Sequence, residues 1–155
     1  MAKTEHELRI EKLLIQRHRR EPRAEVPASL RTRVLIVSED RLAGRHLARM
    51  LAAKGFEGVR AVSRAARALT LARKFVPGIV FLDVALLDDA YELAGALRRL
   101  AGRDALRIIA LTPSIEHSTR DQARDAGFER WLVTPVAQNE LDSLMDVEER
   151  AALAT

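Results

Sequence analysis

The chain has 155 residues, 48% of them hydrophobic and 31% charged, which is enough for one folded domain with a core. It contains no cysteine, which excludes disulfides and cysteine-based metal or redox chemistry. The net charge is +4, and residues 1–30 carry +2 of it. A remainder of +2 over the other 125 residues indicates no concentrated basic face, so composition argues only weakly for a nucleic-acid partner.

The N-terminus, MAKTEHEL, lacks the basic-then-apolar pattern of a signal peptide. No apolar run approaches the roughly 18 residues that span a bilayer. We therefore expect a cytoplasmic protein that does not bind a membrane.

Residues 1–30 predict a helix and a linker ahead of a folded domain at 31–155. Residues 5–20 are mostly good helix formers with a narrow apolar stripe, and the next ten residues, EPRAEVPASL, contain two prolines. The basic run RHRREPR at 17–23 suggests a nucleic-acid hypothesis. A solvated charge run at a helix end is the simpler interpretation.

From residue 31 onward, five short apolar runs alternate with helical patterns. The predicted strands are RVLIV (33–37), VRAVS (59–63), IVFLD (79–83), RIIALT (107–112) and WLV (131–133). Strands that are buried on both faces and separated by single helices indicate a parallel sheet with right-handed crossovers. The fold class is therefore α/β, a five-stranded doubly wound sheet with helices on both faces.

Local signals predict the helix boundaries. Gly55 suits the end of the first helix and Ser63 the N-cap of the second, which Pro77 stops. A short helix is predicted over 118–127 and a final helix over 139–154. The predicted apolar faces are Ala43, Leu47, Met50 and Leu51 in the first helix, and Ala65, Leu69, Ala72 and Val76 in the second.

Polar residues stand where the predicted strands end. They are Ser38, Glu39 and Asp40 after the first strand, Asp83 at the end of the third, Thr112 at the end of the fourth and Thr134 after the fifth. Because the carboxyl ends of parallel strands meet at one edge, where chemistry collects in such sheets, we expect these residues to converge.

In order and spacing, residues from about 32 to 150 resemble the receiver domain of two-component response regulators. RVLIVSED resembles its first strand and acidic turn, and IVFLD resembles the strand that ends in the phospho-accepting aspartate, here Asp83. In IIALTPS, Thr112 matches the switch hydroxyl, and in ARDAGFERWLVTPV, Trp131 matches the switch aromatic. The resemblance implies a flavodoxin-like receiver fold, a phosphorelay with a sensor kinase or other signalling protein as partner, and no enzymatic activity.

The resemblance also implies a weak magnesium site. Its metal ligands would be Glu39 and Asp83, with Ser38 and Asp40 as further candidates. Magnesium prefers oxygen ligands and neutralises the oxygens of a phosphoryl group in transfer.

The chain departs from the family pattern at three places. Ser38 stands where the first acid of the pair is usual, and Thr134 stands where the family has a lysine. The loop after Asp83 reads VALLDDAY, whose Asp88 and Asp89 are expected to face solvent or to cap a helix. These departures predict impaired switching.

Two function hypotheses share this fold. In the first, a receiver with Asp83 as phospho-acceptor acts by protein–protein contact. Its output partner would bind the N-terminal helix or the face of the 118–127 helix, the fifth strand and the final helix. In the second, a phosphorylation-independent pseudo-receiver serves as a scaffold or localisation module. We expect no output domain after the final helix, and the N-terminal helix could instead form a homodimer. A flavin-binding alternative is disfavoured because SEDRLAG is too acidic and glycine-poor to hold a phosphate.

Overall fold

The structure is a computed structural model. It describes the greater part of the chain, namely residues 4–5, 28–85, 87, 89–101, 106–113, 121, 124–128 and 130–154. The predicted helices at 5–20 and 118–127 lie largely outside these residues. The described elements are a 3-10 turn at Ala28–Arg31, then β1 Val34–Val37, α1 Arg41–Ala53, β2 Val59–Val62, α2 Ala65–Phe75, β3 Ile79–Asp83, α3 Ala90–Ala101, β4 Arg107–Thr112, β5 Arg130–Val133 and α4 Gln138–Ala154.

The strands form one parallel sheet in the order β2-β1-β3-β4-β5. This is the flavodoxin-like doubly wound order, so the predicted fold class is confirmed. The chain runs outward from β1 to β2 and then crosses back to β3. The switch point of the topology therefore lies between the carboxyl ends of β1 and β3, where such sheets bind their ligands.

Side chains alternate between the two faces of the sheet, and each face has its own core. On one face, Leu35, Val80 and Leu82 pack with apolar residues of α2 and α3. On the other face, Ile36 and Phe81 pack with apolar residues of α1 and α4. Both faces are covered, which explains why the central strands are continuous apolar runs rather than alternating ones.

Three local predictions at the helices were wrong. Arg64, not Ser63, is the N-cap of α2, and it makes no side-chain capping bond. Val76 is 62% exposed, because α2 ends at Phe75 and Val76 turns into a left-handed conformation with φ 50° before Pro77. Ala43 is also exposed, since the face of α1 toward the sheet is formed by Gly44, Leu47, Met50 and Leu51.

The end of α1 follows its prediction. Gly55 has φ +107°, a conformation that L side chains rarely adopt. Its N–H bonds the carbonyl of Ala52, and the next N–H, from Phe56, bonds that of Leu51. The chain turns sharply there and proceeds into β2 at Val59.

Candidate functional site

Asp83 is the last residue of β3 and is only 7% exposed. The register pairs Val37 with Leu82, so the next residues along the two strands, Ser38 and Asp83, are neighbours. Ser38 Oγ donates a hydrogen bond of 2.9 Å to Asp83 Oδ2. The backbone N–H of Ala85 donates one of 3.1 Å to Asp83 Oδ1. Both carboxylate oxygens are thus held by the protein.

The residues after β1 divide between the site and helix α1. Ser38 is 3% exposed and also accepts a hydrogen bond of 3.2 Å from the N–H of Asp40. Asp40 Oδ1 accepts from the N–H of Ala43 at 3.1 Å, so its carboxylate caps α1. Glu39 is exposed. Of the three residues considered for this side of the site, Ser38 makes a direct hydrogen bond to Asp83, Asp40 caps α1 and Glu39 is exposed.

The direct bond from Ser38 to Asp83 was missed from sequence, where Ser38 was considered only as a further candidate for the metal site. The strand register carries the signal that could have found it. A serine and an aspartate that follow two paired strands at the same level must meet, because adjacent parallel strands lie about 4.8 Å apart.

Thr112 and Thr134 meet at the same edge of the sheet. Thr112 is 5% exposed, and its carbonyl accepts a hydrogen bond of 2.8 Å from the N–H of Thr134. Thr134 is half-buried and precedes Pro135 through a cis peptide bond. Trp131 is half-buried and packs beside the core under α2 and α3. The N–H of Val84 bonds the carbonyl of Leu111, which ties the loop after β3 to β4.

Asp88 and Asp89 were expected to face solvent or to cap a helix. Asp89 is exposed, and its carbonyl accepts from Leu93 in the first turn of α3. Asp88 lies outside the described residues. Within the described residues there is no group of three or more His, Cys, Asp or Glu side chains that could hold a metal ion.

The donors at this edge still suit a weakly held magnesium ion. Magnesium is commonly bound by one or two carboxylates while waters complete its octahedron. Asp83 and the exposed Glu39 are carboxylates of this kind, and the Ser38 hydroxyl can bond a coordinated water.

A second feature opens on the other side of Ser38. It is a cleft of about 410 Å³ between α1, the end of β2 and the start of α2. Among the described residues its lining contains no Asp or Glu, and it consists of Ser38, Arg41, Gly44, Arg45, Ala61, Val62, Ser63, Arg64 and Arg67. We call these four arginines and their surroundings the arginine cleft. All four side chains are exposed.

The sheet, the buried acid at the end of β3 and the threonine at the end of β4 define a response-regulator receiver. Residues 34–146 match the family model described as the response regulator receiver domain. The chain belongs to this family, which acts in signal transduction. No helix among the described residues is long and apolar enough to cross a membrane.

Among known proteins, the chain is 31% identical over 125 residues to the transcriptional regulatory protein PdtaR of Mycobacterium tuberculosis. The match covers 77% of this chain and 58% of PdtaR, so the chain spans less than two thirds of that relative. It is 26% identical to the signal receiver domain of a modulated diguanylate cyclase from Desulfovibrio desulfuricans, with a TM-score of 0.64 over 77% of this chain and 96% of that one. The chemotaxis protein CheY4 of Vibrio cholerae shares the fold, with 20% identity and a TM-score of 0.67 over 74% of this chain and 96% of CheY4.

Proposed function

We propose that Asp83 is the phospho-acceptor of a phosphorelay and that the domain passes its signal on by protein–protein contact. The observation that carries the proposal is a carboxylate that is 7% exposed at the topological switch point of the sheet, where Ser38 and the N–H of Ala85 donate hydrogen bonds to its two oxygens. A buried acid is costly to keep unless it has a function or full hydrogen bonding.

The proposed step is an in-line displacement at phosphorus. An oxygen of Asp83 forms a bond to the phosphorus of a phosphorylated donor, a sensor kinase for example. The bond from phosphorus to the leaving group breaks, and the leaving group keeps the electron pair. The product is an acyl phosphate on Asp83. A bound magnesium ion would neutralise the phosphoryl oxygens, and Asp83 and Glu39 would hold it, with Ser38 as a contact to its water.

The proposed switch is weak because Thr134 stands in the lysine position. A cation there would lie a few ångströms from the phosphoryl oxygens, and at an effective dielectric constant of 20 such a pair is worth about 4 kcal/mol before desolvation. A neutral hydroxyl contributes about 1 kcal/mol as a hydrogen bond. Movement of Thr112 and Trp131 toward the modified Asp83 is therefore driven less strongly than in a receiver with the lysine.

The second candidate is a pseudo-receiver that binds its partner without phosphorylation. The bond between Ser38 and Asp83 favours it, because a neutral donor supplied by the protein already satisfies one oxygen of the acceptor. In that case the site has a structural role, and the domain is a scaffold or localisation module. A partner then docks on the N-terminal helix or on the face of the predicted 118–127 helix, β5 and α4.

The two candidates differ in how the protein responds to beryllofluoride with magnesium. If Asp83 is the acceptor, the complex shifts the amide signals of Asp83, Thr112 and Thr134 and changes the fluorescence of Trp131. Asp83→Asn abolishes this response. Lack of any response at saturating beryllofluoride, together with partner binding unaltered by Asp83→Ala, would establish the pseudo-receiver instead.

We also propose that the folded unit begins before residue 31. Leu30 is half-buried and packs beside the core under α1 and α4, and its carbonyl accepts a hydrogen bond of 3.2 Å from Glu57. A chain that lacks residues 1–27 should keep a cooperative thermal transition and nearly its full melting temperature. A loss of cooperativity would show that the N-terminal segment belongs to the core.

A further inference from the structure

Charge is segregated along this chain in a way that its net value hides. Residues 41–78, which form α1, β2 and α2, contain nine Lys or Arg and one acid, Glu57, for a net charge of +8. Residues 79–155 contain eight Lys or Arg and fourteen Asp or Glu, for a net charge of −6. The basic segment, residues 41–78, includes β2, which is an edge strand of the sheet.

The fold gathers part of this charge into one concave place. β2 is an edge strand, and α1 and α2 cover opposite faces of the sheet beside it. Arg41 and Arg45 of α1 and Arg64 and Arg67 at the start of α2 therefore meet over the carboxyl end of β2. Like charges that line one cleft repel one another, and an anion bound between them offsets that repulsion.

We propose that the arginine cleft binds a small ligand that carries two or more linked phosphate groups, such as a nucleoside polyphosphate. The guanidinium group matches phosphate oxygens with two parallel hydrogen bonds, and it is the preferred cation for such recognition. The cleft of about 410 Å³ is within the size range of small-molecule sites, roughly 300–1,000 Å³.

Two further features indicate that the cleft would bind the phosphate groups of such a ligand rather than its base. No aromatic residue is among the described residues that line the cleft, so a base would have no ring to stack on. The N-cap of α2, Arg64, makes no side-chain capping bond, and the first turn of this helix has no acidic residue. The N–H groups at that helix start therefore add to the positive field of the arginines.

The cleft is distinct from the Asp83 site, although the two share Ser38 as a wall. Its ligand binds without a divalent cation and without transfer of a phosphoryl group. The proposal therefore does not depend on whether Asp83 is phosphorylated.

Titration calorimetry with tripolyphosphate and with ATP, in EDTA and 150 mM salt, tests the proposal. The full chain should bind one equivalent of each. The double variant R45Q/R67Q should weaken binding by about a hundredfold, since a hydrogen bond from a charged group is worth about tenfold or more in affinity. Amide signals of Gly44, Val62 and Ser63 should shift on binding.

The matched control is R49Q/R73Q, which removes the same charge from exposed positions on the same two helices, outside the arginine cleft. It should weaken binding by less than about threefold, through long-range screening alone. Equal weakening by both double variants would overturn the proposal, as would no saturable binding at about 10 mM ligand. Tight binding of a 20-base-pair duplex, weakened equally by both double variants, would also overturn the proposal. It would indicate an extended nucleic-acid-binding surface instead of a polyphosphate site in the cleft.

Discussion

Two sites of opposite character meet at Ser38. On the β3 side, one buried carboxylate is held by two neutral donors, the hydroxyl of Ser38 and the N–H of Ala85. On the β2 side, four exposed arginines line a cleft without an acid among its described lining residues. The Asp83 site has less charge than the family pattern predicts, whereas the neighbouring cleft gathers four cationic side chains.

The difference shows how the two sites can be separated by experiment. The Asp83 site depends on hydrogen bonds of 2.9 and 3.1 Å to a buried carboxylate, where the loss of a donor is costly. The arginine cleft contains exposed charges, and the contribution of each to the stability of the fold is small and sensitive to salt. Variants of the first site should change stability strongly, and variants of the second should change it weakly.

The largest effect is expected at the hydrogen bond between Ser38 and Asp83. Ser38→Ala removes a donor to a charged group, and the free energy of unfolding should fall by about 2 kcal/mol. Urea denaturation measures the loss. A double-mutant cycle with Asp83→Ala, which removes the acceptor, measures the coupling of the pair, and the coupling energy should reach about 1 kcal/mol. Strict additivity of the two single variants would show that the bond contributes nothing to stability.

The next effect concerns the missing lysine. Thr134→Lys restores a cation beside the acceptor, and if a quarter of the roughly 4 kcal/mol of the bare pair survives desolvation, beryllofluoride should bind about fivefold more tightly. Trp131 fluorescence reports the binding. Ala137→Lys adds the same charge at an exposed position three residues further on and should change the affinity by less than twofold, an estimate of about 0.4 kcal/mol.

Asp40 gives a prediction that distinguishes a capping acid from a metal ligand. Asp40→Ala should lower the free energy of unfolding by about 1 kcal/mol, because the cap on the N–H of Ala43 is lost. Asp40→Asn should keep the stability, since asparagine caps equally well. Magnesium affinity should be unchanged in both variants and weakened by Glu39→Gln. A loss of magnesium affinity in Asp40→Asn would make Asp40 a ligand.

The sequence predicted the sheet well and the site in part, for physical reasons. Strands such as VLIV and IVFLD are continuous apolar runs because helices cover both faces of the sheet. Their sequence pattern therefore predicts a parallel sheet between two layers of helices. The convergence of Ser38, Asp83 and Thr112 followed from parallel topology. The bond between Ser38 and Asp83 needed the register, which no local pattern fixes. The arginine cleft was missed because net charge was counted over 125 residues, whereas α1 and α2 bring their cations together across an edge strand.

The smallest effect concerns the arginine cleft, where the difference in stability between R45Q/R67Q and the wild type should change sign when a polyphosphate binds. Without a bound anion, the four arginines repel one another, so R45Q/R67Q should be more stable than the wild type by about 0.5 kcal/mol in 10 mM salt, and by much less in 0.5 M salt. For a domain of this size that is about 2 °C in melting temperature. Tripolyphosphate binds the folded wild type and stabilises it by mass action, by about 2.7 kcal/mol at a hundred times the dissociation constant. The order of the two melting temperatures should therefore invert when tripolyphosphate is added, while R49Q/R73Q follows the wild type. If R45Q/R67Q gains as much from tripolyphosphate as the wild type does, the anion binds elsewhere and the cleft is only a cluster of solvated charges.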